Sequence, residues 1–158
     1  MNEVVFLDTT PLWLACLSRN SANPERDLCI AWLDHLRKQS RVIVIPEIAD
    51  YETRRKLLHQ NLKQPGQWVG QIQRLDTLKA INQYLPINTT MMLKAAQLWA
   101  DSRYAGHSSA GETRLDADVI ITAQAIISDN GRNEVIVATK NVKHFIQLVP
   151  AANWWEII

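Results

Sequence analysis

Acidic and polar side chains follow apolar runs of this sequence, at the points where predicted strands end. Asp8 follows the apolar run at 3–7, and Thr139 and Asn141 follow the run at 134–138. In an open α/β sheet, ligands bind outside the carboxyl ends of the strands, so we expect these side chains to lie close together. The acids at other predicted strand or helix boundaries are Glu47, Asp50, Glu52, Asp116 and Asp118.

Clustered carboxylates of this kind favour a hard divalent cation. Mg²⁺ and Mn²⁺ prefer oxygen ligands, whereas Zn²⁺ favours histidine or cysteine. Carboxylates gathered in one cleft repel each other, and a divalent ion removes that repulsion. Such an ion lowers the pKa of a bound water and binds a phosphoryl oxygen, which is the chemistry of phosphodiester hydrolysis. The pattern therefore predicts Mg²⁺- or Mn²⁺-dependent cleavage of phosphodiester bonds.

A parallel sheet is needed to bring these residues together, and the apolar pattern predicts one. The predicted strands are short and buried, without in/out alternation, which is typical of a parallel sheet covered by helices on both faces. We expect a three-layer α/β/α sandwich with a central parallel sheet, in a single domain over 1–158. The predicted strands are 3–7, 42–45, 84–87, 134–138 and an edge strand at 154–158. The predicted helices are one capped by Thr10, one at about 28–38, and others at 47–62, 68–81, 89–104 and 116–128, with a loop at 106–113.

Length and composition fit an ordinary globular domain. The chain has 158 residues, of which 47% are hydrophobic and 21% charged, and its formal net charge is +1. This charge excludes a strongly basic protein that binds any nucleic acid, but it allows a local basic rim. Cys16 and Cys29 lie in predicted helices without a metal-binding spacing, so we expect buried thiols in the cytoplasm. The N-terminus lacks the features of a signal peptide, and no apolar run is long enough to span a bilayer.

Four segments, in order along the chain, match motifs of one known family. They are FLDTT at 6–10, IADYETRR at 48–55, LDADVIITAQA at 115–125 and ATKNVKHF at 138–145. They resemble the PIN-domain family, and within it the VapC-like toxin ribonucleases of bacterial toxin–antitoxin systems. The resemblance implies an RNA substrate, a small antitoxin protein as partner, and a homodimer. It also implies catalytic acids at Asp8, Glu52 and Asp118, with Thr10 supporting Asp8 and with Thr139 and Asn141 in a threonine-x-asparagine turn.

The chain departs from the family pattern at one position. Many relatives carry a fourth acid at the end of that turn, where this chain has His144. Asp116 is the natural replacement, because an N-cap residue there can turn its side chain toward the cleft that Asp118 faces. The predicted catalytic and metal-binding residues are therefore Asp8, Glu52, Asp116 and Asp118.

Other interpretations remain open for several of these residues. Asp116 is either a helix cap or a ligand, and Glu52 also fits a surface acid that pairs with Arg55 or Lys56. Asp50 fits a solvated residue and His144 a packing histidine. For the whole chain, the main alternative is a catalytically weakened PIN-fold module that binds RNA or protein. An aspartyl-phosphate phosphotransferase is disfavoured, because Thr10 stands where that chemistry needs a second acid.

Overall fold

A parallel sheet forms the centre of the computed structural model, which describes residues 4–106, 115–132 and 134–158. Within these ranges the sheet has five strands in the order β3-β2-β1-β4-β5, and each neighbouring pair is parallel. The strands are β1 Val4–Leu7, β2 Val42–Pro46, β3 Gln83–Leu85, β4 Val135–Thr139 and β5 Ala151–Asn153.

Helices cover both faces of the sheet. Helices α1 to α4 pack against one another, and α5 packs along α6. After β3 the chain reverses its direction across the sheet, so right-handed crossovers place α5 and α6 on the face opposite α1 to α4. The predicted three-layer α/β/α sandwich is confirmed. The helices are α1 Thr9–Cys16, α2 Glu25–Lys38, α3 Glu47–Lys63, α4 Val69–Ile81, α5 Thr89–Tyr104 and α6 Leu115–Asp129, with short 3₁₀ turns at Val142–His144 and Trp154–Glu156.

The strand order creates a switch point between β1 and β4. From β1 the chain continues toward β2 and β3, whereas from β4 it continues toward β5 on the other side. Crevices at such points, beyond the carboxyl ends of the strands, are where open α/β sheets bind ligands. Asp8 and Thr139 stand at the ends of these two strands.

Two predicted strands are displaced in the structure. The third ends at Leu85 because Pro86 has no N–H to donate to a neighbouring strand. The edge strand is Ala151–Asn153 rather than 154–158, because Trp154 turns into the core. Asn88, and not Thr89 or Thr90, caps α5 by accepting a hydrogen bond from the Met91 N–H at 2.9 Å. Residues 107–113 of the predicted loop at 106–113 lie outside the described residues.

Both cysteines are buried and free, as predicted. Burial raises the pKa of the Cys16 and Cys29 thiols to about 12, so neither is a thiolate nucleophile at neutral pH. In the part of the chain that the structure describes, no helix is both long and apolar enough to cross a membrane.

Trp154 packs the C-terminal turn against α2, and its substitution tests the contribution of this contact to stability. Its ring lies 5.6 Å from that of Trp32, and the Trp32 Nε1–H donates to the Ile157 carbonyl at 2.9 Å. Trp154→Ala should lower the free energy of unfolding by about 3–5 kcal/mol, measured by denaturant titration, because it leaves a cavity. Trp155→Ala is the matched control: this ring is 49% exposed and should cost about 1 kcal/mol. Equal losses would contradict this account.

Candidate active site

Asp8 joins three elements at the switch point. It is 5% exposed, and its backbone N–H donates to the Ala138 carbonyl at 3.0 Å. Its Oδ1 accepts from the Thr9 N–H at 2.6 Å, which makes Asp8 the N-cap of α1. Its Oδ2 accepts from the Thr139 hydroxyl at 2.7 Å. The prediction that Thr10 caps this helix is therefore wrong, because the cap and the start of α1 lie two residues earlier.

Thr139 and Asn141 support Asp8 from the end of β4. The Thr139 side chain is fully buried, and its Oγ1 accepts from the Asn141 N–H at 2.9 Å while it donates to Asp8. Asn141 thus acts here through its backbone, in a turn that fixes the direction of the Thr139 hydroxyl. Thr10 is half-buried in the first turn of α1.

Glu52 reaches the same region from α3. Its Oε2 accepts from the Thr9 hydroxyl at 2.6 Å, and its Oε1 accepts from Arg55 Nη2 at 3.0 Å. The pairing with Arg55 that the sequence allowed is thus present, but the carboxylate also faces the site. Thr9 links Glu52 to Asp8 through its hydroxyl and its N–H. Sequence reasoning missed Thr9, although its place directly after Asp8 in the FLDTT segment was a signal.

Asp118 comes from the first turn of α6 and meets His144. Their contact joins Asp118 Oδ2 and His144 Nδ1 at 2.8 Å, and both side chains are largely buried. His144 lies in the 3₁₀ turn just after β4. The histidine therefore occupies the site, opposite a carboxylate, and is not a distant packing residue.

The three carboxylates act on each other electrostatically. Burial raises the pKa of Asp8, against the hydrogen bonds from Thr139 and Thr9, which lower it. Burial, followed by the negative charge of Asp8, raises the pKa of Asp118 to about 6, while its contact with His144 acts in the opposite direction. The charge of Glu52 raises the pKa of both other acids. The ionised cluster therefore favours a cation.

Among the described residues, Asp116 forms no hydrogen bond or ion pair with these three. Because α6 begins at Leu115, Asp116 lies within the first turn and is not the N-cap that the sequence suggested. Its side chain is exposed and borders a cleft of about 370 Å³ between α5 and α6. Its role as a ligand stays a prediction. The apolar residues that line this cleft are Met92, Ala95, Ala96, Trp99, Val119 and Ile120.

Two further acids of α3 have structural contacts. Asp50 is buried, and its oxygens accept from Arg54 Nη2 at 3.0 Å and Lys79 Nζ at 2.9 Å. The prediction that Asp50 is solvated is therefore wrong, because it forms the ion pair that joins α3 to α4. Glu47 Oε2 accepts from the Ile87 N–H at 2.6 Å.

Basic side chains near the site differ in how they are held. Arg54 is committed to Asp50 and Asp76, and Lys140 pairs with Glu25 at 2.7 Å. Lys56 and Lys143 are exposed. Arg54 and Lys140 are thus held in pairs away from the carboxylate cluster, whereas Arg55 pairs with Glu52 inside it.

The donor set fits a hard divalent cation in its chemistry. Among the described residues, no group of three or more His, Cys, Asp or Glu side chains is arranged to hold a metal ion. Several oxygens of the cluster accept hydrogen bonds, but a carboxylate oxygen has two lone pairs and can also bind an ion. Three mutually repelling carboxylates on separate elements are the oxygen ligands that Mg²⁺ or Mn²⁺ prefers.

Similarity to known proteins lies in the fold. No protein-family model matches the sequence, and no curated protein matches it either. Solved structures do match: VapBC2 from Rickettsia felis bound to a DNA fragment from their promoter is 17% identical over 96% of this chain and 98% of that chain, with a TM-score of 0.63. FitAcB from Neisseria gonorrhoeae is 22% identical over 97% of this chain and 99% of that chain, with a TM-score of 0.61. VapBC-1 from nontypeable Haemophilus influenzae is 18% identical over 96% of this chain and 98% of that chain, with a TM-score of 0.62. The predicted PIN-like fold is confirmed.

The raised pKa of Asp118 predicts a pH-dependent gain in stability when its charge is removed. As pH rises from 3.8 through about 6, the folded state holds the Asp118 proton more tightly than the unfolded state, so stability falls and stays lower above that range. Asp118→Asn should raise the free energy of unfolding at about pH 7.5 by about 1–3 kcal/mol, and by almost nothing below about pH 4. Denaturant titrations at both pH values measure this difference.

Asp116→Asn is the matched control for that experiment. It makes the same change two residues away on an exposed side chain, and it should not reproduce the gain. If Asp118→Asn changed stability equally at both pH values, the raised pKa that we attribute to burial and to the charge of Asp8 would be wrong.

Proposed function

We propose that the chain is a metal-dependent endoribonuclease, a single PIN-like nuclease domain over 1–158 that hydrolyses RNA phosphodiester bonds. The observation that carries the proposal is the meeting of Asp8, Glu52 and Asp118 beyond the carboxyl ends of β1 and β4. They come from three elements far apart in sequence, and burial raises the pKa of two of them. Buried like charges destabilise a fold, so their convergence supports a site that binds a cation.

The ion would be Mg²⁺ or Mn²⁺, held by Asp8, Asp118 and Glu52, with Asp116 as the predicted fourth ligand. When bound, such an ion lowers the pKa of a water and neutralises charge on a phosphoryl oxygen. The protein itself supplies orientation. Thr139 and the Thr9 N–H fix the Asp8 carboxylate, and the Thr9 hydroxyl fixes that of Glu52.

His144 orients the third carboxylate. Its contact with Asp118 Oδ2 directs that group, as partners of metal-binding carboxylates commonly do. The contact also favours one alternative function. A histidine on this oxygen, in place of a further acid, suits a catalytically weakened module that keeps the fold to bind RNA or protein.

The fold neighbours also support a protein partner for this chain. The solved structures of this fold are named VapBC and FitAcB, and one of them is bound to promoter DNA. Together with the sequence motifs, they support a toxin of a toxin–antitoxin pair, with a small antitoxin protein as partner. A homodimer and a cytoplasmic location complete the proposal. Free buried thiols are consistent with a reducing compartment.

Asp8→Asn tests the proposed reaction. Cleavage of RNA in Mn²⁺ should fall by roughly a hundredfold or more, because loss of a ligand exceeds the 10–100-fold effect of losing an outer partner. The rate is measured on labelled RNA, and circular dichroism checks that the variant is folded. Asp34→Asn, at an exposed acid of α2, is the control and should cleave like the wild type. If the wild type cut no RNA with either metal, the binding module would replace the enzyme.

The same assay decides the role of Asp116. Asp116→Asn should slow cleavage if this residue is the fourth ligand. A near-wild-type rate would return it to a helix-terminus role.

His144→Ala tests the orientation of Asp118. Cleavage and Mn²⁺ affinity should each fall by about tenfold, because Asp118 loses the partner that directs it. His144→Asn still offers a donor to Asp118 and should recover part of the loss. His35→Ala, an exposed histidine on α2, is the matched control. Wild-type values for His144→Ala would show that the contact is only structural.

A further inference from the structure

An exposed aromatic ring borders the carboxylate cluster. Tyr51 precedes Glu52 on α3 and is 56% exposed. In the described part of the chain, its ring pairs with no other aromatic ring. Stacking on another aromatic ring of this fold therefore does not account for a tyrosine at this position.

Arg55 connects this ring to the site. Its guanidinium carbon lies 5.3 Å from the centre of the Tyr51 ring, and its Nη2 donates to Glu52 Oε1 at 3.0 Å. The attraction between cation and ring holds Tyr51 in one orientation. Ring, guanidinium and carboxylate thus form a continuous path from the surface to Glu52, and Thr9 extends it to Asp8.

The charge of the surrounding helix favours an anionic chain. From residue 53 to 63, α3 contains no Asp or Glu, and it contains Arg54, Arg55, Lys56 and Lys63. Although Arg54 is paired with Asp50, Arg55 and Lys56 are exposed on this helix. A flat ring beside exposed positive charge is the pair of features with which proteins bind single-stranded nucleic acid, since any base has a face that can stack.

We propose that the Tyr51 ring stacks on an unpaired base next to the RNA bond that is cut, with Arg55 holding the ring. This inference rests on the proposed ribonuclease function and adds a subsite to it. Tyr51 is a positioning residue for the substrate. A protein partner would also use an exposed tyrosine, but the basic surface and the direct link to Glu52 favour RNA.

Binding without cleavage provides the test. The full chain is titrated in EDTA, by fluorescence anisotropy, with a labelled oligoadenylate and with an abasic oligonucleotide of the same length. Tyr51→Ala should weaken oligoadenylate binding by about tenfold, the typical loss for one stacked base. It should leave abasic binding unchanged, because only the base contacts the ring. Tyr51→Trp should retain the affinity.

Tyr104→Ala is the matched control, because Tyr104 is 97% exposed at the end of α5, outside the site. It should bind both oligonucleotides like the wild type. Wild-type affinity for oligoadenylate in Tyr51→Ala would overturn the proposal, and so would an equal loss for both oligonucleotides. A parallel cleavage assay in Mn²⁺ separates the proposed subsite from the proposed ribonuclease function. If the wild type cleaves RNA but Tyr51→Ala does not change binding, only the subsite is rejected. A wild type that neither binds nor cuts RNA rejects the nuclease as well.

Discussion

The hydrogen bond between Thr139 and Asp8 is the contact on which the rest of the site depends. It joins the ends of β1 and β4 across the switch point, at 2.7 Å and in a buried setting. The same aspartate ends a strand and caps α1, so one carboxylate sets the position of both elements. A buried carboxylate is tolerated only where hydrogen bonds replace those of water. Asp8 meets that condition with donors from two elements.

The other two acids are also oriented by hydrogen-bond donors, which differ between them. Glu52 has a hydroxyl and a guanidinium, and Asp118 has an imidazole. These donors orient the carboxylates without removing their mutual repulsion, which is why burial and neighbouring charge still raise the pKa of Asp118 to about 6. The cluster is thus well ordered and electrostatically unfavourable, a combination typical of sites that bind a positive ligand.

Sequence reasoning could reach the sheet and three of the acids, because both follow from local pattern. Short apolar runs fix strands, and the residues that leave parallel strands share one edge. Two of the errors concern helix starts. Successive side chains on a helix point about 100° apart, and α1 begins two residues earlier than predicted, so the cap is Asp8 instead of Thr10. The same shift placed Asp116 inside α6. The meeting of His144 with Asp118 joins segments 26 residues apart, and no local pattern encodes it.

The buried ion pair of Asp50 has a consequence for the mechanics of α3. Lys79 of α4 pairs with Asp50 of α3, and Arg54 of α3 pairs with Asp76 of α4, so these two contacts fix the orientation of α3 against α4. Glu52 and Tyr51 lie on α3, so their positions depend on this orientation. Salt screens such partly buried charges little, so these ion pairs should persist at ionic strengths that weaken surface pairs. A rotation of α3 that displaced Glu52 would therefore have to break these ion pairs or move α4 as well.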